Sequence, residues 1–276
     1  MTALPDFDAA AMTALELHET RAHAIPSRQI RDLGDSVALF DPRDADPFWN
    51  RLAAVRWPDR PAAFDLRLEE ALRMFAIMGR QPHVWPSPVF AGPPDLAERL
   101  VANGFSDIGG GHLMVLEHPE AAPPVRPGEL ARGVTLHTIA RHGDAAPGDL
   151  LDIGGVLATS FGAPPGRGRE LAADLALTLD DPRVALALVR VEGVAASVAK
   201  ATTFDGLTYL SSIGTLSGFR GRGLGGLATR QVLAAAGVTG HRRAYLGVFS
   251  GNVPALRLYR RLGFASVGES PDLLLR

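Results

Sequence analysis

The sequence predicts an α/β fold in which strand-like and helix-like runs alternate along the chain. Three apolar runs rich in strand-forming residues follow one another between residues 184 and 216, and an Asp205-Gly206 turn signal joins the last two as a hairpin. Runs with apolar residues at helical spacing lie on both sides of these strands. A turn with four glycines, Arg220–Gly226, separates the last strand from the next helix. Together these features indicate a sheet packed against helices.

The elements of residues 129–276 follow in the order strand, two helices, three strands, helix, strand, helix and final strand. The predicted strands are Val134–Ile139, Val184–Val191, Ala195–Phe204, Leu207–Leu216 and Arg243–Phe249. The predicted helices are Leu150–Phe161, Glu170–Leu179, one from Gly223 to the breakers Gly237 and Gly240, and one from Val253 to about Leu262. Helix-like segments in the first half are Ala9–Ala24, Phe48–Val55 and Leu66–Met78.

The glycine-rich turn has the composition of an anion-binding loop. Its sequence is Arg220-Gly221-Arg222-Gly223-Leu224-Gly225-Gly226. Glycines let the backbone approach a phosphate, the first N–H groups of the following helix lack internal acceptors, and the arginines add positive charge. A dinucleotide fingerprint also fits the glycine spacing, but no carboxylate follows in the window at residues 241–245, and a phosphate loop of the Gly-Lys-Ser/Thr type occurs nowhere.

Two motifs in this order resemble those of the GCN5-related N-acetyltransferases, the GNAT family. The first is Arg220-x-x-Gly223-x-Gly225, which in that family grips the pyrophosphate of coenzyme A. The second is an Asn-helix-Tyr-x-x-x-Gly-Phe element, made here by Asn252, Ala255, Tyr259, Gly263 and Phe264. The resemblance covers about residues 129–276. It implies a mixed, mostly antiparallel central sheet flanked by helices.

The resemblance also implies a cofactor, acetyl-CoA, and roles for particular residues. The backbone N–H groups of one stretch of strand, with Gly214 as a bulge or a close-approach site, would face pantetheine and the acyl carbonyl. Tyr259 would donate a proton to the departing thiolate, and Asn252 and Ala255 would hold the adjacent cofactor arm. The cofactor-binding residues implied are Ile213, Gly214, Thr215, Leu216, Arg220, Gly221, Arg222, Gly223, Leu224, Gly225, Gly226, Asn252 and Ala255.

Each of these side chains has an ordinary structural alternative. A tyrosine on the apolar face of a helix is commonly a core residue, so Tyr259 is assigned as the acid on its spacing from Asn252 and Gly263. Asn252 would cap a helix in either case. Gly226 is expected to matter for packing if it does not bind the cofactor.

The sequence names no clear general base. The strand Leu207–Leu216 carries no carboxylate, where family members often have one. Glu192, Asp205 and His137 are candidates, and a water relay or a partly neutral amine would need none of them.

Composition sets further limits. The chain has 276 residues, 46% of them hydrophobic, and no cysteine, which excludes disulfides, thiolate metal sites and an acyl-cysteine intermediate. The eight histidines show no zinc spacing, so we expect no metal site. Nine arginines and two acids follow Phe219, whereas the preceding residues are acidic. This pattern favours a local site for an anionic cofactor over a nucleic-acid surface. Without a basic leader or a long apolar stretch, we expect a cytoplasmic protein that does not enter membranes.

The first half is predicted to be a degenerate copy of the second. A shift of 159 residues aligns Gly104-Phe105 with Gly263-Phe264 and the apolar residues 114–116 with 273–275. Under this shift Pro93 falls on Asn252 and Leu100 on Tyr259, and no glycine lies between Gly34 and Gly79. The predicted organisation is a GNAT-like domain without cofactor motifs at 1–118, a proline-rich linker at 119–128 and an acyltransferase domain at 129–276.

These features predict an N-acyltransferase with one competent site, in the C-terminal domain. It would transfer acetyl from acetyl-CoA directly to a primary amine on a small molecule or a peptide. The alternative is a non-enzymatic acyl-CoA-binding regulatory module, which the missing base keeps open. A nicotinamide-binding protein is a third reading, and a homodimer is left open.

Overall fold

A computed structural model describes residues 7–119, 124–236 and 242–276. Linker residues 120–123 and the predicted helix breakers Gly237 and Gly240 lie outside these ranges. Within them the chain forms two mixed but mostly antiparallel sheets and seven α-helices, which confirms the predicted fold class.

The element bounds follow the chain. The helices are α1 (Ala9–Ala24), α2 (Pro61–Met78), α3 (Leu96–Ala102), α4 (Asp149–Ser160), α5 (Arg167–Thr178), α6 (Leu224–Ala236) and α7 (Val253–Arg261). The strands are β1 (Gln29–Asp32), β2 (Val37–Phe40), β3 (Arg51–Ala53), β4 (His83–Val84), β5 (Phe105–Asp107), β6 (Gly111–Leu116), β7 (Val134–Ile139), β8 (Val184–Val191), β9 (Val194–Phe204), β10 (Leu207–Thr215), β11 (Arg243–Phe249), β12 (Ala265–Ser270) and β13 (Leu273–Leu275).

The chain divides into two compact units, each built from separated stretches of sequence. The first comprises Met1–Met114, Gly247–Arg257 and Ala265–Arg276, and the second Val115–Leu246 and Leu258–Phe264. These units differ from the contiguous ranges 1–118 and 129–276, because the end of the chain lies in the first unit. The division into two tandem copies of one domain stays a prediction.

The first unit contains a six-stranded sheet in the order β1-β2-β3-β4-β13-β5. β3 pairs with β4 in parallel and the other measured pairs are antiparallel. Strand β13 lies between β4 and β5, where Leu273 pairs with both Val84 and Asp107. The buried face of α2, with Phe64 and Phe75, packs with Leu273 in one apolar cluster. All of β12 and parts of β6 and β11 also belong to this unit.

The second unit contains the strand order β11-β10-β9-β8-β7. Only β10 and β11 run parallel there. Helices α4 and α5 cover one face, in a cluster with Leu186, Leu188 and Val198. Because side chains alternate along a strand and β8 is buried on both faces, α6, which also packs on β8 and β9, covers the other face.

Most predicted elements are confirmed, and one is wrong. Ala9–Ala24, Val134–Ile139, Val184–Val191 and Arg243–Phe249 have the predicted bounds. The helix predicted at Phe48–Val55 is instead a short 3-10 turn followed by β3. All three residues of β3, including Arg51, are buried between two neighbouring strands, and three residues are too few to show whether a run has the period of a helix or of a strand.

Among the helices in the described part of the chain, none combines the length and the apolar character needed to cross a bilayer.

Candidate active site

A bulge interrupts β10 close to its end. Ser211 pairs with Lys200 and Gly214 with Val198, so two residues of β10, Ser212 and Ile213, lie opposite one residue of β9. Ser212 has a φ of 51°, a left-handed conformation that is rare outside glycine. A bulge bends its strand and leaves backbone groups unpaired, so N–H groups here can face a ligand.

Gly214 is required by close packing next to this bulge. A Cβ at this position would lie 3.0 Å from both Cβ and Oγ of Ser160 at the end of α4, and 3.6 Å from Leu157. Ser197 donates from its hydroxyl to the Gly214 carbonyl at 2.9 Å and lies 2.8 Å from the Thr215 hydroxyl. The strand end is therefore held against α4 and β9.

Strands β10 and β11 separate beyond their first residues. Within the described residues, parallel pairing joins Leu207–Tyr209 to Arg243–Tyr245 and stops there. The rings of Tyr209 and Tyr245 lie 5.2 Å apart at the last pair. The β10 edge that contains the bulge and residues 213–216 therefore follows the point where the two strands part.

The glycine-arginine turn continues from this edge. The Arg220 side chain donates from Nε to the Thr215 carbonyl at 3.1 Å, which ties the turn to the end of β10. Gly221 and Gly223 have φ of 76° and 78°, and no atom lies within 4 Å of where a Cβ would stand on either. Arg222 lies over the Phe219 ring, 5.7 Å from its centroid. The side of the turn that the Cβ atoms would occupy is open.

Helix α6 starts directly behind the turn. The Leu227 N–H bonds to the Gly223 carbonyl at 3.1 Å, and the preceding N–H groups of the first turn have no intrahelical acceptor. Amides and a positive helix-dipole end in this position are suited to an anion on the open side of the turn.

The last two glycines of the motif have a packing role. A Cβ on Gly226 would lie 3.2 Å from Leu258 of α7, and one on Gly225 would lie 3.4 Å from Leu258 and 3.3 Å from the Thr215 hydroxyl. Leu224 is itself buried. The two glycines therefore let α6 approach α7 closely, and all three residues can offer a ligand only their backbone groups.

Helix α7 has the caps that its sequence predicts. The Ala255 N–H donates to Oδ1 of the exposed Asn252 at 3.2 Å. At the other end Gly263 has a φ of 93°, and the Phe264 N–H bonds to the Tyr259 carbonyl at 3.0 Å, a Schellman-type end. The caps fix where Tyr259 lies on the helix.

Tyr259 is 5% exposed and packs edge-on against Phe264, with ring centroids 6.0 Å apart. Burial raises the pKa of Tyr259 well above its ordinary value near 10. The phenol thus stays protonated at neutral pH and has a proton to give.

The three candidate bases, His137, Glu192 and Asp205, each lie where an ion pair or a turn accounts for them. His137 bonds through Nδ1 to Asp149 at 3.0 Å, and Arg190 donates to the same carboxylate at 2.7 Å. Burial raises the pKa of Asp149 and the bond from Arg190 opposes it, with a net lowering. Glu192 and Asp205 lie in hairpin turns with positive φ. Asp205 is nine residues from Gly214, roughly 30 Å along an extended strand.

Three buried hydroxyl oxygens, of Ser160, Thr202 and Ser211, have no hydrogen-bond partner among the residues that the structure describes. Sequence reasoning missed Ser160 and Ser211 as site residues, because serines are too common for pattern alone to select these two. Groups of three or more possible metal ligands are absent from the described ranges.

The first unit contains a parallel strand pair of its own, but its edge is covered. Beyond the single pair of β3 with β4, the chain from Val55 to Trp57 pairs with Gly92: the Trp57 N–H donates to the Gly92 carbonyl at 2.9 Å, and Arg56 bridges to Gly92 in parallel. A Cβ on Gly92 would lie 2.9 Å from the Arg56 Cα. The backbones are too close to admit a ligand between them.

Comparison with known proteins identifies part of the second half. The model of the acetyltransferase (GNAT) family matches residues 158–264, so this segment is similar to a GNAT domain. No curated protein matches the chain.

Several solved structures share its fold over nearly the full length. A GCN5-related N-acetyltransferase from Kribbella flavida is 24% identical, with 95% of each chain covered and a TM-score of 0.69. One from Sphaerobacter thermophilus is 16% identical, covering 94% of this chain and 85% of that one, with a TM-score of 0.62. A tandem GNAT protein from the clavulanic acid biosynthesis pathway is 14% identical, covering 99% and 90%, with a TM-score of 0.61. At these identities the likeness concerns the fold.

Proposed function

With residues 158–264 similar to a domain of the acetyltransferase (GNAT) family, we propose that this chain is an N-acyltransferase that moves acetyl from acetyl-CoA to a primary amine on a small molecule or a peptide. The observation that carries the proposal is the separation of β10 from β11 at the bulge, directly before the glycine-arginine turn and α6. We centre the one competent site on β10, the glycine-arginine turn and Tyr259, all of which belong to the second unit.

The cofactor would lie along the β10 edge. The N–H groups of residues 221–226 and the Arg220 and Arg222 side chains take the pyrophosphate, since this is where amide donors and positive charge converge. The N–H groups of residues 213–216 bond to pantetheine and to the acyl carbonyl, whose oxygen gains negative charge during transfer. Asn252 and Ala255 begin α7 beside the cofactor arm.

Acetyl-CoA supplies an acyl group on a thiol leaving group. The neutral amine forms a bond to the carbonyl carbon, the C–S bond breaks, and Tyr259 gives its proton to the leaving sulfur. Burial keeps the phenol protonated but also makes it a weaker acid, so the transfer requires a thiolate that is desolvated in the same site and is therefore more basic than in water. The proton lost by the amine passes to water or to a base, and no residue on β10 is assigned that role.

The test is thiol release from acetyl-CoA with a panel of amines, amino acids and peptides, together with thermal stabilisation by coenzyme A and by NAD. We expect stabilisation by coenzyme A alone and amine-dependent thiol release. Binding without turnover on any amine would favour the acyl-CoA-binding module. Stabilisation by NAD alone would contradict the cofactor assignment.

A further inference from the structure

Lys200 is the one lysine in a chain with 28 basic residues, and it lies beside the bulge. It pairs with Leu186 on one side and with Ser211 on the other. Leu186 and Val198 belong to the cluster under α4 and α5. Because side chains alternate along β9, Lys200 shares that face of the sheet. It is partly buried.

The buried hydroxyls lie on the same face. Ser160 covers Gly214, which pairs with Val198; Ser211 pairs with Lys200; and Thr202 pairs with Tyr209. The three side-chain oxygens are buried without a hydrogen-bond partner in the described ranges, and Thr202 is 1% exposed. Buried hydroxyls are normally bonded, so oxygens in this state next to a charged group point to a polar ligand.

Ser211, Lys200 and Thr202 form a polar row on this face of the sheet. Their order along the strands separates this polar row from the proposed phosphate site. The glycine-arginine turn follows the bulge, whereas Ser211, Lys200 and Thr202 precede it or pair with residues that do. The phosphates and the polar row therefore lie on opposite sides of the acyl carbonyl along β10. A group held at Lys200 belongs to the amine side of the reaction.

We propose that Lys200 binds a carboxylate of the acceptor, with Ser211 and Thr202 donating further hydrogen bonds, so that the enzyme acetylates an amine that also carries a carboxylate. An ammonium has three N–H donors, and a carboxylate is its natural acceptor in a partly buried site. The inference rests on the proposed function for the orientation of the cofactor. It adds the class of the acceptor.

Matched pairs of acceptors test the contact directly. Amino acids and their carboxamides are compared for kcat/KM with acetyl-CoA in the parent and in Lys200→Met. We expect the parent to prefer the carboxylate member, and Lys200→Met to lose about 10- to 100-fold on that member, as expected for a hydrogen-bonded charge, with little change on the carboxamide or in the KM for acetyl-CoA.

Three further variants separate a specific contact from a general one. Lys200→Arg keeps the positive charge and should keep the preference, and Ser211→Ala should weaken it less than Lys200→Met. Exposed Arg132 in the same unit gives a matched control, and Arg132→Met should change nothing. Equal losses on both members of each pair, or no preference in the parent, would overturn the inference. So would a carboxylate preference for the acyl group, seen as faster transfer from succinyl-CoA than from acetyl-CoA.

A binding measurement separates this inference from the proposed function. The protein loaded with coenzyme A is heated with each amino acid or its carboxamide, and the shift in Tm reads binding without turnover. Stabilisation by the carboxylate member that Lys200→Met removes supports the contact even if no amine is acetylated. Turnover without a carboxylate preference would contradict the inference about the acceptor and would still support the proposed acyltransferase activity.

Discussion

Each unit contains one parallel pair of strands and, at the end of its first strand, one residue with a left-handed backbone. In the second unit these are β10, β11 and Ser212, with a φ of 51°. In the first they are β3, β4 and Ala54, with a φ of 52°. In the first unit the chain pairs again with Gly92, whereas in the second, within the described residues, the pairing of β10 with β11 ends at Tyr209. The shared geometry leaves room for the proposed cofactor only where the edge stays open.

The segments that follow the two strands differ as well. In the second unit a turn with four glycines leads into α6. In the first, α2 begins with Pro61, and Arg56 is held in an ion pair with Glu16 at 2.8 Å. A helix follows the strand pair in both units, but of α2 and α6 only α6 is preceded by glycines that leave the first amides of the helix exposed. The open edge and the exposed amides together, rather than either alone, distinguish the unit for which we propose the site.

The largest expected effect comes from closing the phosphate turn. Gly223→Val places a β-branched residue at a φ of 78° on the open side of the turn, so we expect acetyl-CoA affinity to fall by about 100-fold or more. Gly79→Val imposes similar backbone strain at a φ of 63° in the first unit. Calorimetric titration should show weaker binding for the first variant only. Equal loss in both would assign the effect to folding.

Removing the proposed acid comes next. Tyr259→Phe should lower kcat about 100-fold at an unchanged acetyl-CoA affinity, as for other general acids. Since burial raises the pKa of Tyr259, its ionisation should not limit the rate at any pH below about 10, the ordinary value for tyrosine. The check is steady-state kinetics from pH 6 to 10. A variant as active as the parent would leave Tyr259 as a core residue.

Disturbing the closed edge of the first unit should affect stability and spare binding. Gly92→Ala forces a Cβ to within 2.9 Å of the Arg56 backbone, and we expect a loss of about 1–3 kcal/mol, typical of overpacking. Urea unfolding measures the loss, and titration with acetyl-CoA at low temperature should give the parent affinity. Weaker acetyl-CoA binding in the folded variant would connect the first unit to the site.

The smallest effect separates two roles of Asn252. Asn252→Ala removes the cap to the Ala255 N–H and should cost about 1 kcal/mol of stability. Asn252→Ser keeps a capping oxygen and should restore most of it. If Asn252 also bonds to the cofactor arm, the serine variant restores stability while acetyl-CoA affinity stays low. Recovery of both would make Asn252 a cap alone.

Local patterns predicted much of the fold, and pairing between distant segments accounts for the rest. Apolar runs rich in strand-forming residues and the Asp205-Gly206 signal were sufficient for β8, β9 and β10, and Asp205 and Gly206 both have positive φ. The 159-residue shift aligned the chain end with residues 114–116. It could not predict that β13 would enter the sheet between β4 and β5, because an apolar three-residue strand fits any sheet that needs one.

Some residues of the candidate site were likewise predictable from local motifs, and others depend on contacts between distant segments. Motif spacing led to the glycine-arginine turn, Asn252 and Tyr259, because backbone freedom and caps leave a signature in sequence. The contact of Ser160 with Gly214 and the place of Lys200 opposite Ser211 depend on helix packing and strand register, which no local pattern encodes. That Lys200 is the single lysine was visible but had no location attached to it.

The most direct test of one competent site per chain is the stoichiometry of acetyl-CoA binding by calorimetry, with the parent, Gly223→Val and Gly92→Ala. We predict one equivalent per chain for the parent and for Gly92→Ala, and binding that is lost or at least about 100-fold weaker for Gly223→Val. Two equivalents in the parent, or one that survives Gly223→Val unchanged, would contradict the assignment of the cofactor to the second unit.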